Sequence, residues 1–91
     1  MPDNDGEPDF YYNFSRELIE LTVLSFDKRA FDKEDVTECV SSTLQACHWK
    51  YFTPEQRVVV AKRVRTIVPK FLKTYSEMNQ IEYVGDGKYR L

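Results

Sequence analysis

The chain has 91 residues, with 13 Lys and Arg against 15 Asp and Glu and an aromatic content of 14 %. That length sets one domain with one modest core, and six Phe, six Tyr and one Trp supply enough bulk to exclude a chain too apolar-poor to fold. No apolar run reaches the roughly 20 residues of a membrane span, and the polar start MPDNDGEPDF lacks the basic flank and apolar stretch of a secretory signal, so a soluble cytoplasmic protein is expected.

The near-neutral total hides an uneven distribution. Residues 1–47 carry eleven acids and four bases, a net −7; residues 48–91 carry nine bases and four acids, a net +5. A chain with two electrical ends can pair head to tail or offer its basic end to a polyanion.

Taken in order, residues 1–9 hold two prolines, one glycine and four carboxylates, and are expected to be a disordered acidic tail before a single domain over 10–91. Phe14, Leu18, Leu21 and Leu24 or Ser25 then recur at helical spacing, with Ile19, Val23 and Phe26 widening the stripe. Asn13 or Ser15 is a candidate cap, unless Phe10–Tyr12 extend the helix backwards, and the helix should fade near Asp27–Arg29. A second helix is expected behind Asp32 as cap, with Glu34 and Asp35 in its first turn and Val36, Val40, Thr43, Leu44 and Cys47 on its inner face. Cys39 and Cys47 are the only cysteines; on one helix they lie about 12 Å apart, too far to bridge, so two free buried thiols are expected.

YFTPEQ is the sharpest local signal. Thr53 and Gln56 have the spacing of a capping box, and Pro54 falls at the first helical position, where a missing N–H costs nothing. The apolar phase then runs through Val60, Ala61, Val64, Ile67 and Val68, and continues past Pro69 through Phe71, Leu72 and Tyr75. That continuity predicts a kink, or two helices nearly in line, rather than a stop. The chain closes on QIEYVGDGKYRL, two alternating runs around Gly85-Asp86-Gly87, which predicts a β-hairpin with Ile81, Tyr83, Tyr89 and Leu91 turned toward the helices. The expected fold is therefore mainly α with a small β part (α+β): a compact bundle of three or four helices with a C-terminal β-hairpin.

No phosphate-binding glycine loop, nucleophile elbow or histidine pair occurs. The single His48 sits beside Trp49 in an expected inter-helix turn, and CHW offers too few ligands for a metal. These readings favour a non-enzymatic binding module with no cofactor, no metal and no small-molecule substrate. On a wheel of about 100° per residue, Lys62, Arg63, Arg65, Lys70 and Lys73 fall opposite Val60, Val64, Ile67 and Phe71. Lys88 and Arg90 fall on the outer side of the hairpin if Tyr89 and Leu91 face in. These seven cations are the candidate nucleic-acid contacts. Val58, Val59 and Val60 cover nearly every side of the wheel, so at least one must be exposed; with Trp49 and Tyr51, Val58 and Val59 form a candidate protein-contact surface or homodimer face.

A capped helix, a further helical stretch and IEYVGDGKYRL resemble the end of a winged-helix domain, over roughly the last forty residues. In that family a recognition helix precedes a two-stranded wing with a Gly-rich turn. The resemblance implies that Lys70–Asn79, or the helix before Pro69, is the recognition helix and that Gly85–Lys88 form the wing tip. It also implies nucleic-acid binding or a regulatory role, while many winged-helix domains bind proteins instead. The alternative reading is a protein-interaction adaptor or inhibitor.

Overall fold

In a computed structural model, which describes residues 10–91, the chain forms helices α1 (Phe10–Ser25), α2 (Lys33–Thr43) and α3 (Pro54–Glu77), followed by an antiparallel hairpin of β1 (Glu82–Gly85) and β2 (Lys88–Arg90). The expected acidic tail at 1–9 lies outside the described residues. The mainly α fold with a terminal hairpin is the one the sequence implies.

α1 begins at Phe10, so Asn13 and Ser15 lie inside it rather than at a cap. It ends where Asp27 takes a left-handed φ of 56°, a conformation Asp tolerates better than most side chains. Its buried stripe is Ser15, Leu18, Ile19, Thr22 and Val23, continued by Phe26 in the following turn. The expected stripe included Leu21 and Leu24, and both are exposed, at 65 % and 58 %. Two overlapping apolar stripes were written into α1, and α3 and α2 cover only one of them. Ser15 Oγ is fully buried and has no hydrogen-bond partner. Ser15→Ala should therefore stabilise the fold by about 1 kcal/mol, because an unsatisfied hydroxyl is removed and Ala is the better helix former. A fall in the thermal midpoint would show that the hydroxyl is satisfied after all.

α2 starts as expected. The Asp35 N–H donates to Asp32 Oδ1 at 2.8 Å, and the Asp32 N–H donates to Asp35 Oδ2 at 3.0 Å, a closed capping box. The backbone N–H of Asp35 is the main influence that holds the Asp32 carboxyl below its ordinary 3.8; the charge of Lys88 adds to it. A lowered carboxylate contributes stability above its unfolded value and loses it as pH falls through the folded one. Asp32→Ala should cost about 1 kcal/mol at neutral pH. The gap to wild type should narrow below pH 3.8, and thermal melts across that range check it.

The inner face of α2 is Val36, Val40 and Leu44, but Cys39 and Cys47 are both exposed. The thiols are free, as expected, yet not buried. For Cys47 the cause is a π turn over Leu44–His48, in which the Trp49 N–H reaches back five residues to the Leu44 carbonyl. That wide turn advances the phase by one residue and swings Cys47 outward. A 3-10 turn, Trp49–Tyr51, completes the link.

α3 carries the predicted box, with the Gln56 N–H donating to Thr53 Oγ1 at 3.1 Å and the Thr53 N–H to Gln56 Oε1 at 2.9 Å. Arg57 is consumed structurally: its Nε donates to the carbonyls of Trp49 and Phe52 at 3.0 and 3.1 Å, clamping the 3-10 turn. The helix runs unbroken through Pro69. It stops with Asn79 at φ 61°, where the Gln80 N–H returns to the Tyr75 carbonyl at 2.8 Å and the Asn79 N–H to Ser76 at 3.1 Å. That double return is a Schellman ending.

The hairpin turns on Asp86 and Gly87, both at positive φ (56° and 74°), as a two-residue type I′ loop demands. Val84 is an extra residue in β1, because the register steps from Tyr83↔Tyr89 to Gly85↔Lys88. Of the four side chains expected to face inward, Ile81 is buried and Tyr89 packs against the core, while Tyr83 and Leu91 are exposed. The hairpin therefore lies on the helices by its base rather than along a whole face.

What holds it there is a residue outside both strands. Phe31, between α1 and α2, pairs with Tyr89 as a one-residue third strand: its N–H donates to the Tyr89 carbonyl at 2.8 Å, and the Tyr89 N–H donates back at 2.7 Å. The Phe31 side chain is fully buried and stacks on Phe26, with ring centroids 4.8 Å apart. The core into which it plugs runs from Ile19 and Val23 through Val36 and Val40 to Val60, Val64, Val68 and Leu72.

Candidate functional site

Between Gln56 and Ser76 the chain holds six bases and no acid, and all of it lies in α3. The buried face, Val60, Val64, Ile67, Val68, Phe71 and Leu72, fixes the rotation of the helix. With that face inward, Lys62, Thr66, Pro69 and Lys73 form the outer crest, and all four are exposed. Arg63 and Lys70 lie on the flank toward α1, and Arg65 on the flank toward α2.

The α1 flank is a groove of about 640 Å³ whose walls include Lys62, Arg63 and Lys70 from α3 and Tyr12 and Arg16 from α1. Among the described residues no carboxylate lines it. Ile67, Phe71 and Tyr75 make its floor, Thr66 and Thr74 supply hydroxyls, and Met78 closes the far end. Phe71 and Tyr75 stack at 4.1 Å. The Tyr75 hydroxyl donates to Glu20 Oε2 at 3.1 Å. Burial first, then this bond and the carboxylate charge of Glu20, raise the phenol above its ordinary 10.0 and keep it neutral. The groove thus keeps four cations at its rim and a neutral, apolar floor.

The other predicted cations sit elsewhere. Arg65 shares a shallow cleft with Lys33, Glu34, Thr37 and Glu38 of α2. Lys73 borders a second cleft with Asp32, Glu34 and the hairpin tip Asp86–Gly87. Lys88 acts on Asp32, and Arg90 pairs with Glu82 across the hairpin at 3.0 Å. The seven cations therefore do not make one surface. Lys62, Arg63 and Lys70 converge, and they gather Arg16, which periodicity did not single out. The hairpin tip lies on the other flank of α3, and it carries an acid.

The proposed protein-contact residues divide as well. Val58 and Val59 are exposed, at 56 % and 36 %, while Val60 is buried. Tyr51 is exposed, but Trp49 packs partly against the core with its ring edge-on to Phe52 at 5.9 Å. His48 is half-buried, its ring edge-on to Phe14 at 5.1 Å. Among the described residues no group of three or more His, Cys, Asp or Glu could hold a metal, and no helix is long and apolar enough to cross a membrane.

Comparisons with protein-family models, with curated proteins and with solved structures gave no match.

Proposed function

We propose that this protein is a small non-enzymatic, winged-helix-like module of the cell interior that binds nucleic acid through the cationic side of α3. The observation that carries the reading is the charge of that side: Lys62, Arg63, Lys70 and Lys73 stand on the crest and the α1 flank, Arg16 joins them, and no acid interrupts α3 between its ends. Phosphates are the polyanion that a row of exposed Lys and Arg neutralises with most gain, through release of condensed counterions. The sequence of a long helix followed by a type I′ hairpin supports the winged-helix-like part of the reading. The hairpin contributes less to binding, because Arg90 is paired and the tip is acidic.

Backbone-amide NMR tests it. Labelled protein titrated at low salt with a single-stranded and a duplex oligonucleotide should show shifts clustered over residues 62–73, with Lys88 and Arg90 little changed. No shift with either oligonucleotide, or shifts confined to α2 and the hairpin, would remove the proposal.

A second reading is favoured by the exposed Leu21 and Leu24, one turn apart on α1, together with Tyr51, Val58 and Val59. Exposed apolar side chains in such number suit a protein partner or a homodimer. Sedimentation velocity decides the homodimer form: self-association lost in Leu21→Glu supports it, and a monomer at all concentrations refutes it.

A further inference from the structure

We infer that the groove between α1 and α3 takes one unpaired strand of nucleic acid, with phosphates along its cationic rim and bases against Tyr12, Met78 and the apolar floor. The inference rests on the nucleic-acid reading above and narrows it to single strands. Three features of the groove support it.

The first is composition. A site for duplex phosphates alone needs cations and polar donors and no apolar floor. This groove is recessed and pairs four cations with Tyr12, Ile67, Phe71, Tyr75 and Met78. A positive rim over aromatic and apolar side chains is what an unstacked strand requires, since every base has an apolar face to cover. Tyr12 and Met78 are the accessible members, at 40 % and 57 % exposed.

The second is shape. Lys62 and Met78 both line the groove and lie sixteen residues apart on or just beyond α3, about 24 Å along the helix axis. An open, elongated recess of that length lets an extended strand lie along the helix.

The third is electrostatic. Glu20, which accepts from the Tyr75 hydroxyl beside the floor, does not line the groove. A phosphate on the rim therefore meets Arg16, Lys62, Arg63 and Lys70 with no anion among the described lining residues to repel it.

Fluorescence anisotropy with a labelled twelve-nucleotide single strand and the matching duplex, at about 50 mM salt, tests the inference. The single strand should bind at least about 10-fold tighter than the duplex. Tyr12→Ala and Arg16→Ala should each weaken the single strand by about 10-fold, with the thermal midpoint little changed, and Tyr12→Phe should restore binding because the ring is kept. Lys73→Ala, outside the groove, should weaken strand and duplex alike. Equal affinity for strand and duplex, unaffected by Tyr12→Ala and Arg16→Ala, would overturn the groove assignment and leave the nucleic-acid reading standing. Displacement of the strand by polyglutamate at equal charge concentration would overturn it in favour of an acidic protein partner. Failure to bind either oligonucleotide would remove both proposals.

Discussion

Phe31→Ala should come close to unfolding the protein. Its ring is fully buried, stacks on Phe26 and lies against Tyr89, and its truncation leaves a cavity where α1, α2 and the hairpin meet. Phe→Ala at such a site costs about 3–5 kcal/mol. A chain of this size has a total stability of roughly 5–14 kcal/mol, so the loss removes from about a fifth to nearly all of it. At about 4–8 °C per kcal/mol, the midpoint should fall by 12 °C or more, measured by circular dichroism. Two controls separate this site from a general sensitivity of the hairpin. Phe31→Leu, which keeps most of the volume, should cost less than half as much. Tyr83→Ala, on the exposed part of β1, should cost about 1 kcal/mol or less. If Phe31→Ala melts within a few degrees of wild type, Phe31 does not hold the hairpin to the helices.

This keystone was not legible in the sequence, and the reason is physical. Phe31 and Tyr89 are joined by two backbone hydrogen bonds across 58 residues of chain. A pairing of that separation leaves no trace in local periodicity, because a single bridged residue has no period. What was legible is what side chains write locally. The capping pairs Asp32 with Asp35 and Thr53 with Gln56 are satisfied within four residues, and Asp86–Gly87 set a turn by their own tolerance of positive φ.

Faces were less legible than ends. α1 offers two stripes, and only the docking of α3 decides that Ile19 and Val23 go inward while Leu21 and Leu24 stay out. Cys47 was assigned to the inner face by counting at 3.6 residues per turn, and the π turn breaks that count. The candidate site shows the same limit. A helical wheel finds the cations of α3 but not their neighbours, so it missed Arg16 and Tyr12, which α1 brings to the groove. It also counted Arg65, Lys88 and Arg90 with the rest, although each of these faces an acid of α2, its cap or the hairpin.

The central claim is that cations on the crest and α1 flank of α3, with Arg16, neutralise phosphates. Five such groups, Arg16, Lys62, Arg63, Lys70 and Lys73, set a number that can be measured. The logarithm of affinity should fall against the logarithm of salt with a slope near −3.5 on a single strand or near −4.5 on a duplex, from about 0.7 or 0.9 per neutralised phosphate. Between 50 and 200 mM salt that is a loss of roughly 100- to 500-fold. Lys62→Ala with Lys70→Ala removes two contacts and should flatten the slope by about 1.4 or 1.8. Lys88→Ala with Arg90→Ala should change it by less than about 0.5, since these residues face Asp32 and Glu82. The deciding measurement is this salt titration, run on wild type and both double variants with whichever oligonucleotide binds more tightly. A steep slope that flattens only in the Lys62 and Lys70 variant is the result the account predicts. A slope near zero, or one that flattens only when Lys88 and Arg90 are removed, contradicts it.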